Sequence, residues 1–445
     1  MSLRDVLPKT WSESDGRASV GGVPLSAIAE EYGTPAYVFD QAHLEHRLEE
    51  FSAAMGTTGT PVYATKAFLC TALAELLART EWWVDVVSAG EAAIARRGGI
   101  PASRTLLHGN LKSAAEVALA VNGDVAVTVV DSLPEIEDLE LATSRAGKVI
   151  DVMVRLNEHM NLATNSKVLT TGSNAKFGLT PGAAETAIDR ISASAALRLR
   201  GVHLHAGSHI TDPDLFGAIV HRLAELVMRK RSAFETSPIL LDVGGGLASP
   251  YLRTDPAPTP VAVADAIRSA LQDGPASRIG EVRVMVEPGR ALVANSALLL
   301  YTVGVRKPLP VGGEMLALDG GLTDNPRPAL YDSRYELLAV DRLDLAHDHP
   351  FRVFGRMCET DVLLDSVRLP ESIGEGDLVA MPTAGAYTFS MSSRYNVLPR
   401  PPVLFVSDGQ VKEVVRRETI EDLLSGQRTL GEAQPRSCNV PRSGL

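Results

Sequence analysis

Lys66 stands in the run VYATKAFL, among apolar and small neighbours. Such surroundings strip water from an ammonium group and lower its pKa, which favours the neutral amine that attacks an aldehyde. A lysine so placed can equally extend its head to water. The triple glycine Gly244, Gly245 and Gly246 follows LLDV. Its bare backbone can approach a ligand closely and its amides can cradle a phosphate, although an isolated triple glycine also suits an ordinary tight turn. Glu287, in VEPGRAL, can pair with Arg290 or keep a proton on the nitrogen of a pyridine ring. His205, in HLHAGS, can be a satisfied core histidine or can stack on a flat cofactor.

These residues need elements to hold them. Short aliphatic runs begin at Pro61, Val84, Thr105, Val125, Val152, Leu199, Ile239 and Val282. Between them lie amphipathic, Ala- and Leu-rich segments at 68–78, 92–97, 113–121, 134–144, 183–191, 215–230 and 261–271. Strand-helix alternation predicts an α/β fold with a parallel sheet, either a (β/α)8 barrel or a doubly wound open sheet. The barrel is favoured because nearly every strand ends in a residue with chemical capacity. Lys66 follows the first, Ser88 and Glu91 the second, and His108, Gly109 and Asn110 the third. Asp131 closes the fourth and Arg155 the fifth; His205, Gly207 and Ser208 close the sixth. The triple glycine ends the seventh, where barrels commonly bind phosphate, and Glu287 and Arg290 end the eighth.

The alternation stops near Ala294. Short strand-like runs separated by Gly and Pro then predict a second, mostly-β domain over 294–425. Residues 1–44 do not fit the barrel pattern and are expected to join that domain, which leaves the barrel at 45–293. The polar tail 426–445 is expected to be disordered. The long polar stretch 158–175 reads either as an active-site lid or as a surface excursion.

Composition narrows the partners. The net charge of -11 and the lack of a long basic run argue against nucleic acid or an anionic membrane. Three sparse cysteines form neither a disulfide framework nor a metal site, and no metal is expected. A charged, proline-containing start is no signal peptide, and the longest apolar stretch, 294–305, is too short to span a bilayer. A cytoplasmic location is expected.

The runs VYATKAF, DVVSAGE, HGNLKS, KFG, HLHAGS, DVGGGL, EPGRALVAN, DNPRPALY, CETD and GAYTFSMSSRYN occur in the order found in diaminopimelate decarboxylases. More loosely, they resemble the related ornithine and arginine decarboxylases. The resemblance covers roughly residues 37–414. It implies a pyridoxal 5'-phosphate barrel with a β domain, acting as a carboxy-lyase that converts meso-2,6-diaminopimelate to L-lysine and carbon dioxide. By position, Lys66 resembles the Schiff-base lysine, His205 the residue stacked on the cofactor ring, and Glu287 the partner of its nitrogen. Ser208, Gly245, Gly246, Gly289, Arg290 and Tyr387 resemble the phosphate and cofactor environment, with Arg290 also near substrate. Arg327 and Tyr331 resemble substrate-carboxylate contacts. Cys358 resembles the acid that protonates the α-carbon, and Glu359 the group that reads the distal amino end. The resemblance also implies a homodimer in which the second subunit supplies the Cys-Glu pair.

This sequence departs from the family pattern in places. CETD is one residue short of the usual Cys-Glu-Ser-Gly-Asp, Asn325-Pro326 replaces aliphatic residues, His209 replaces a common Gln, and Ala175 a common Ser. The first two lie near substrate contacts. They leave open a decarboxylase acting on another amino acid or a conjugate. A racemase is disfavoured by Glu287, since such enzymes place an Arg near the ring nitrogen. A non-catalytic regulatory relative is disfavoured by the joint presence of Lys66, His205, Glu287 and Cys358.

Overall fold

The computed structural model describes residues 3–158, 176–310, 312–360 and 362–433. The polar stretch 158–175 lies outside them from 159 onward, and the tail from 434 onward.

Eight parallel strands close into a barrel. In chain order they are Gly59–Ala64, Trp83–Val86, Thr105–Leu107, Val127–Val130, Ile150–Arg155, Leu197–His203, Ile239–Gly245 and Val282–Glu287, and the last pairs with the first. Helices follow as the periodicity predicts, among them Thr71–Ala78, Leu133–Ala146, Asp214–Arg229 and Pro260–Gln272. Several begin at sequence-encoded caps. Ser88 Oγ accepts from the backbone N–H of Glu91, and Ser113 and Glu116 form a capping box. Ser88 and Glu91, counted above as strand-end chemistry, therefore serve as a helix start.

The two-residue period of a strand sorts its side chains. Alternate residues point outward into the core beneath the helices, such as Val84, Val152, Leu241 and Val284. The others point inward. Val62, Leu106, Val127, Val129, Met153, Leu240 and Met285 fill the barrel with an apolar layer. Continuing each strand in the same parity brings Lys66, Asp85, His108, Asp131, Arg155, His203, Asp242 and Glu287 to its C-terminal end. That change from an apolar plug to a polar rim builds the site.

The second domain draws on both chain ends. Ala36–Asp40 pairs antiparallel with the long strand Ala297–Pro308 and parallel with Val403–Ser407. Leu378–Pro382 pairs with the other edge of Ala297–Pro308, and Glu314–Leu318 extends the sheet. These central strands are buried on both faces, hence their unbroken apolar runs. Tyr37, Phe39, Leu299 and Tyr301 join the main core, whereas Ala36, Val38, Leu298 and Leu300 join a second core with Trp11, Leu25 and Ile28.

Lys112 ties one barrel loop to its neighbour. Its ammonium, on a side chain only 1 % exposed, pairs with Glu135 and donates to the carbonyls of Gly109 (2.9 Å) and Val129 (2.8 Å). Removing the carboxylate would leave a buried, undercompensated cation. Glu135→Gln is expected to cost about 3–5 kcal/mol in urea unfolding; a loss of only a few tenths would contradict this role. His43 joins the N-terminal segment to the helix Gln41–Met55 by accepting the N–H of Lys9 at 3.0 Å. Burial first, then Arg47, His46 and Lys9, lowers its pKa to about 3. Because the folded value lies below the unfolded one near 6.5, this contribution to stability is complete above that pH and is lost as pH falls toward 3. His43→Gln should flatten the drop in stability between pH 7 and pH 5, and an unchanged drop would count against it.

Candidate active site

A cavity of about 250 Å3 opens where the barrel rim meets the sheet domain. Lys66, His205, Ser208, Gly245, Gly246, Glu287, Gly289, Arg290, Arg327, Tyr331 and Tyr387 all line it. A second hollow shares Lys66, His205 and Glu287 and continues past His108, Asn110, Arg155 and Phe177.

Lys66 sits on the turn after the first strand, with its side chain 42 % exposed toward the cavity. Its Nζ lies 3.2 Å from Asp85 Oδ2. Burial alone would lower its pKa, but Asp85, then Tyr387 and Glu287, outweigh that and raise it. The expectation of a lysine lowered by apolar neighbours is therefore corrected. Asp85, the inward residue of VDVVS, was overlooked because it reads as part of a strand interior; its parity with the rim is the signal that could have found it.

The triple glycine is a cradle by necessity. Gly244 and Gly246 have φ of 67° and 97°. A Cβ on Gly245 would collide with the carbonyl oxygen of Glu287, and one on Gly246 with that of Gly207. The N–H of Gly245 donates to His205 Nδ1 at 3.0 Å, which makes that nitrogen an acceptor and fixes the ring. Burial, then Lys66 and Arg155, holds the His205 pKa well below its ordinary value, so the imidazole is neutral.

Glu287 ends the eighth strand and is 3 % exposed. Burial pushes its pKa up, but His108 and His203 prevail and hold it well below the usual carboxylate range. His108 Nε2 approaches Oε1 to 2.9 Å, and His203 Nε2 lies 3.6 Å from Oε2. Even so, Oε1 has no aligned hydrogen-bond donor among the described residues. A buried carboxylate that shares one cavity with an amine and a glycine turn fits a cofactor with a ring N–H, an aldehyde and a phosphate. Pyridoxal phosphate has all three.

Two guanidinium groups stand among tyrosines in the same cavity, Arg290 from the barrel rim and Arg327 from the sheet domain. Arg290 donates to Ser208 Oγ (3.2 Å) and to Tyr251 and lies over the Tyr387 ring. Arg327 donates to Tyr335 Oη (3.0 Å) and Ser333 Oγ (3.2 Å) and faces the rings of Tyr251 and Tyr331. Arg290 and Arg327 lower the pKa of buried Tyr251 against the effect of burial. Tyr251 and Tyr335 were missed in the sequence because neither falls in a quoted motif. The unusual Asn325 is buried, and its Oδ1 accepts the N–H of Arg327, which steadies the start of the helix Arg327–Tyr331. Tyr387, with φ of 59°, donates its N–H to Ala67 O at 2.7 Å and so fastens the sheet domain beside Lys66.

Cys358 and Glu359 are not brought to this cavity. Cys358 is exposed, and its N–H donates to Asn396 Oδ1. Glu359 accepts from Tyr395 Oη at 2.5 Å and lines a separate open hollow with Leu322, Ala329 and Thr360.

Residues 41–294 match the family model described as pyridoxal-dependent decarboxylase, pyridoxal binding domain. The diaminopimelate decarboxylase of Mycobacterium tuberculosis strain H37Rv is 38 % identical over 441 residues, covering 95 % of this chain and 98 % of its own. That of Bacillus subtilis strain 168 is 37 % identical and covers 92 % and 94 %. Among solved structures, diaminopimelate decarboxylase from M. jannaschii in complex with L-lysine superposes with a TM-score of 0.87 at 28 % identity, over 96 % of this chain and 99 % of that one. Fold, cavity and sequence agree along nearly the whole length, and the chain belongs to the pyridoxal-dependent decarboxylase family.

Proposed function

We propose that this chain decarboxylates meso-2,6-diaminopimelate to L-lysine and carbon dioxide with pyridoxal 5'-phosphate, as a cytoplasmic homodimer in lysine biosynthesis. The observation that carries the reading is the cavity that Lys66, Glu287, His205, the glycine turn, Arg290 and Arg327 line together. The names of the full-length relatives support the substrate. In this reading residues 45–293 bind the cofactor, and 1–44 with 294–425 form the second domain.

When bound, pyridoxal phosphate supplies an aldehyde for amines and a protonated ring that takes up the electron pair left as carbon dioxide departs. The chain's own groups do the rest. Lys66 holds the cofactor through its amine, and Asp85 receives that amine when substrate displaces it. Glu287, ionised, keeps the ring nitrogen protonated, and neutral His205 offers its face to the ring. The glycine turn, with Gly289, Ser208, Arg290 and Tyr387, encloses the phosphate end. Arg327 and Tyr331 hold a substrate carboxylate; a buried guanidinium suits a planar anion. Cys358, supplied by the second subunit, protonates the α-carbon, and Glu359 pairs with the distal ammonium. The exposure of Cys358 and the place of Glu359 on a separate hollow, away from their own chain's cavity, support the shared site.

Three outcomes are expected. Lys66→Ala should remove the visible absorption that pyridoxal phosphate gives the purified protein; retained absorption would contradict its role. Glu287→Ala should keep the cofactor but lower turnover by at least about 100-fold, as losing a preorganised charge does, and near-normal turnover would overturn the assignment. Mixing inactive Lys66→Ala and Cys358→Ala proteins should restore activity through mixed dimers, and no recovery would argue against sites built from two subunits. The deciding assay of the function itself is a substrate panel read by carbon dioxide release. Meso-2,6-diaminopimelate should be fastest, and faster release from ornithine, arginine or a conjugate would move the assignment to a related decarboxylase.

A further inference from the structure

Inside the barrel, one layer departs from the apolar packing beneath it. Below lie Leu106, Leu240 and Met285; above, in the same inward parity, lie His108, Asp242 and Glu287, joined by His203. All four are almost fully buried, and their donor atoms lie within 4.8 Å of one another. Burying four polar side chains is costly unless each is matched, and an aliphatic layer would pack there at no such cost. Their arrangement is directional. Both imidazoles approach Glu287, at 2.9 Å and 3.6 Å, and their rings meet edge to face at 4.9 Å. Asp242 is turned to the cradle instead, with Oδ1 accepting the N–H of Gly244 at 2.9 Å.

We infer that His108 and His203 are positioning residues that act on the cofactor through Glu287: the imidazoles flank its carboxylate, aim it at the ring nitrogen, and make it the charged member of the Asp242–Glu287 pair. Two carboxylates this close and this buried do not both ionise. The flanking rings decide which one does. Consistently, burial and then Glu287 push the Asp242 carboxyl up, whereas the two histidines hold Glu287 down against its burial. Neutral Asp242 then braces the glycine turn while Glu287 faces the ring. Without the imidazoles, the single charge is no longer confined to the carboxylate that the cofactor needs.

The inference rests on the proposed cofactor site, and a double-mutant cycle on the full-length protein separates the two. The readout is the dissociation constant of pyridoxal phosphate for cofactor-stripped protein, by equilibrium dialysis. His108→Leu and His203→Leu, which fill the space without polar atoms, should each weaken binding about tenfold in the native background, yet less than about twofold when Glu287 is already Gln, because contacting residues couple by this much. His203→Gln, which retains an N–H, should recover most of the loss. Should a leucine variant fail to fold, the alanine variant is read in the same cycle. Equal loss in both backgrounds, or no loss in either, overturns the inference. Wild-type protein that binds no pyridoxal phosphate overturns the underlying reading of the cavity instead.

Discussion

A carboxylate buried to 3 % exposure stays ionised only if its surroundings replace the water it has lost. Glu287 is in that position, and much of the barrel rim follows from it. Two imidazoles approach it, a second carboxyl beside it is pushed to the neutral form, and Arg155 and Lys66 add positive charge nearby. The apolar plug below keeps water out from that side. A charge held this way is fixed before any ligand arrives, so it costs no reorganisation when a ring cation must be stabilised.

The sheet domain completes what the barrel begins. Its central strand Ala297–Pro308 follows almost directly from the eighth barrel strand, which places the sheet over the rim. From it come Arg327, Tyr331 and Tyr387, and the Tyr387 N–H to Ala67 O bond anchors that wall one residue from Lys66. Tyr387 adopts φ of 59°, a region unfavourable for a bulky residue, and the packed surroundings hold it there. Lys66, His205, Gly245, Gly246 and Glu287 thus stand at or just beyond the strand ends of the barrel, and Arg327, Tyr331 and Tyr387 face the same cavity from the sheet domain.

Legibility in the sequence followed periodicity. The barrel was readable because short aliphatic runs alternate with amphipathic segments and nearly every run ends in a residue with chemical capacity. The cavity residues were readable from motifs, since Gly245 and Gly246 leave no room for a side chain and Glu287 ends an apolar run. What escaped were ionisable residues embedded within strands, Asp85, His203 and Asp242, which resemble interruptions until their common parity is seen. The sign of the Lys66 shift also escaped, because its neighbours in sequence are apolar while its neighbour in space is Asp85. Tyr251 and Tyr335 reach the arginines only through tertiary folding, so no local pattern marks them. Cys358 and Glu359 were found by resemblance alone, and both stand apart from the cavity that holds Lys66.

One amine, that of Lys66, is proposed to hold the cofactor opposite Glu287. The most direct test of that role is chemical: incubate the protein with pyridoxal phosphate, reduce with borohydride, and map the modified peptide by mass spectrometry. Stoichiometric labelling at Lys66, without comparable labelling of other lysines, is the expected result. Labelling at a different lysine, or none above background, would contradict the account.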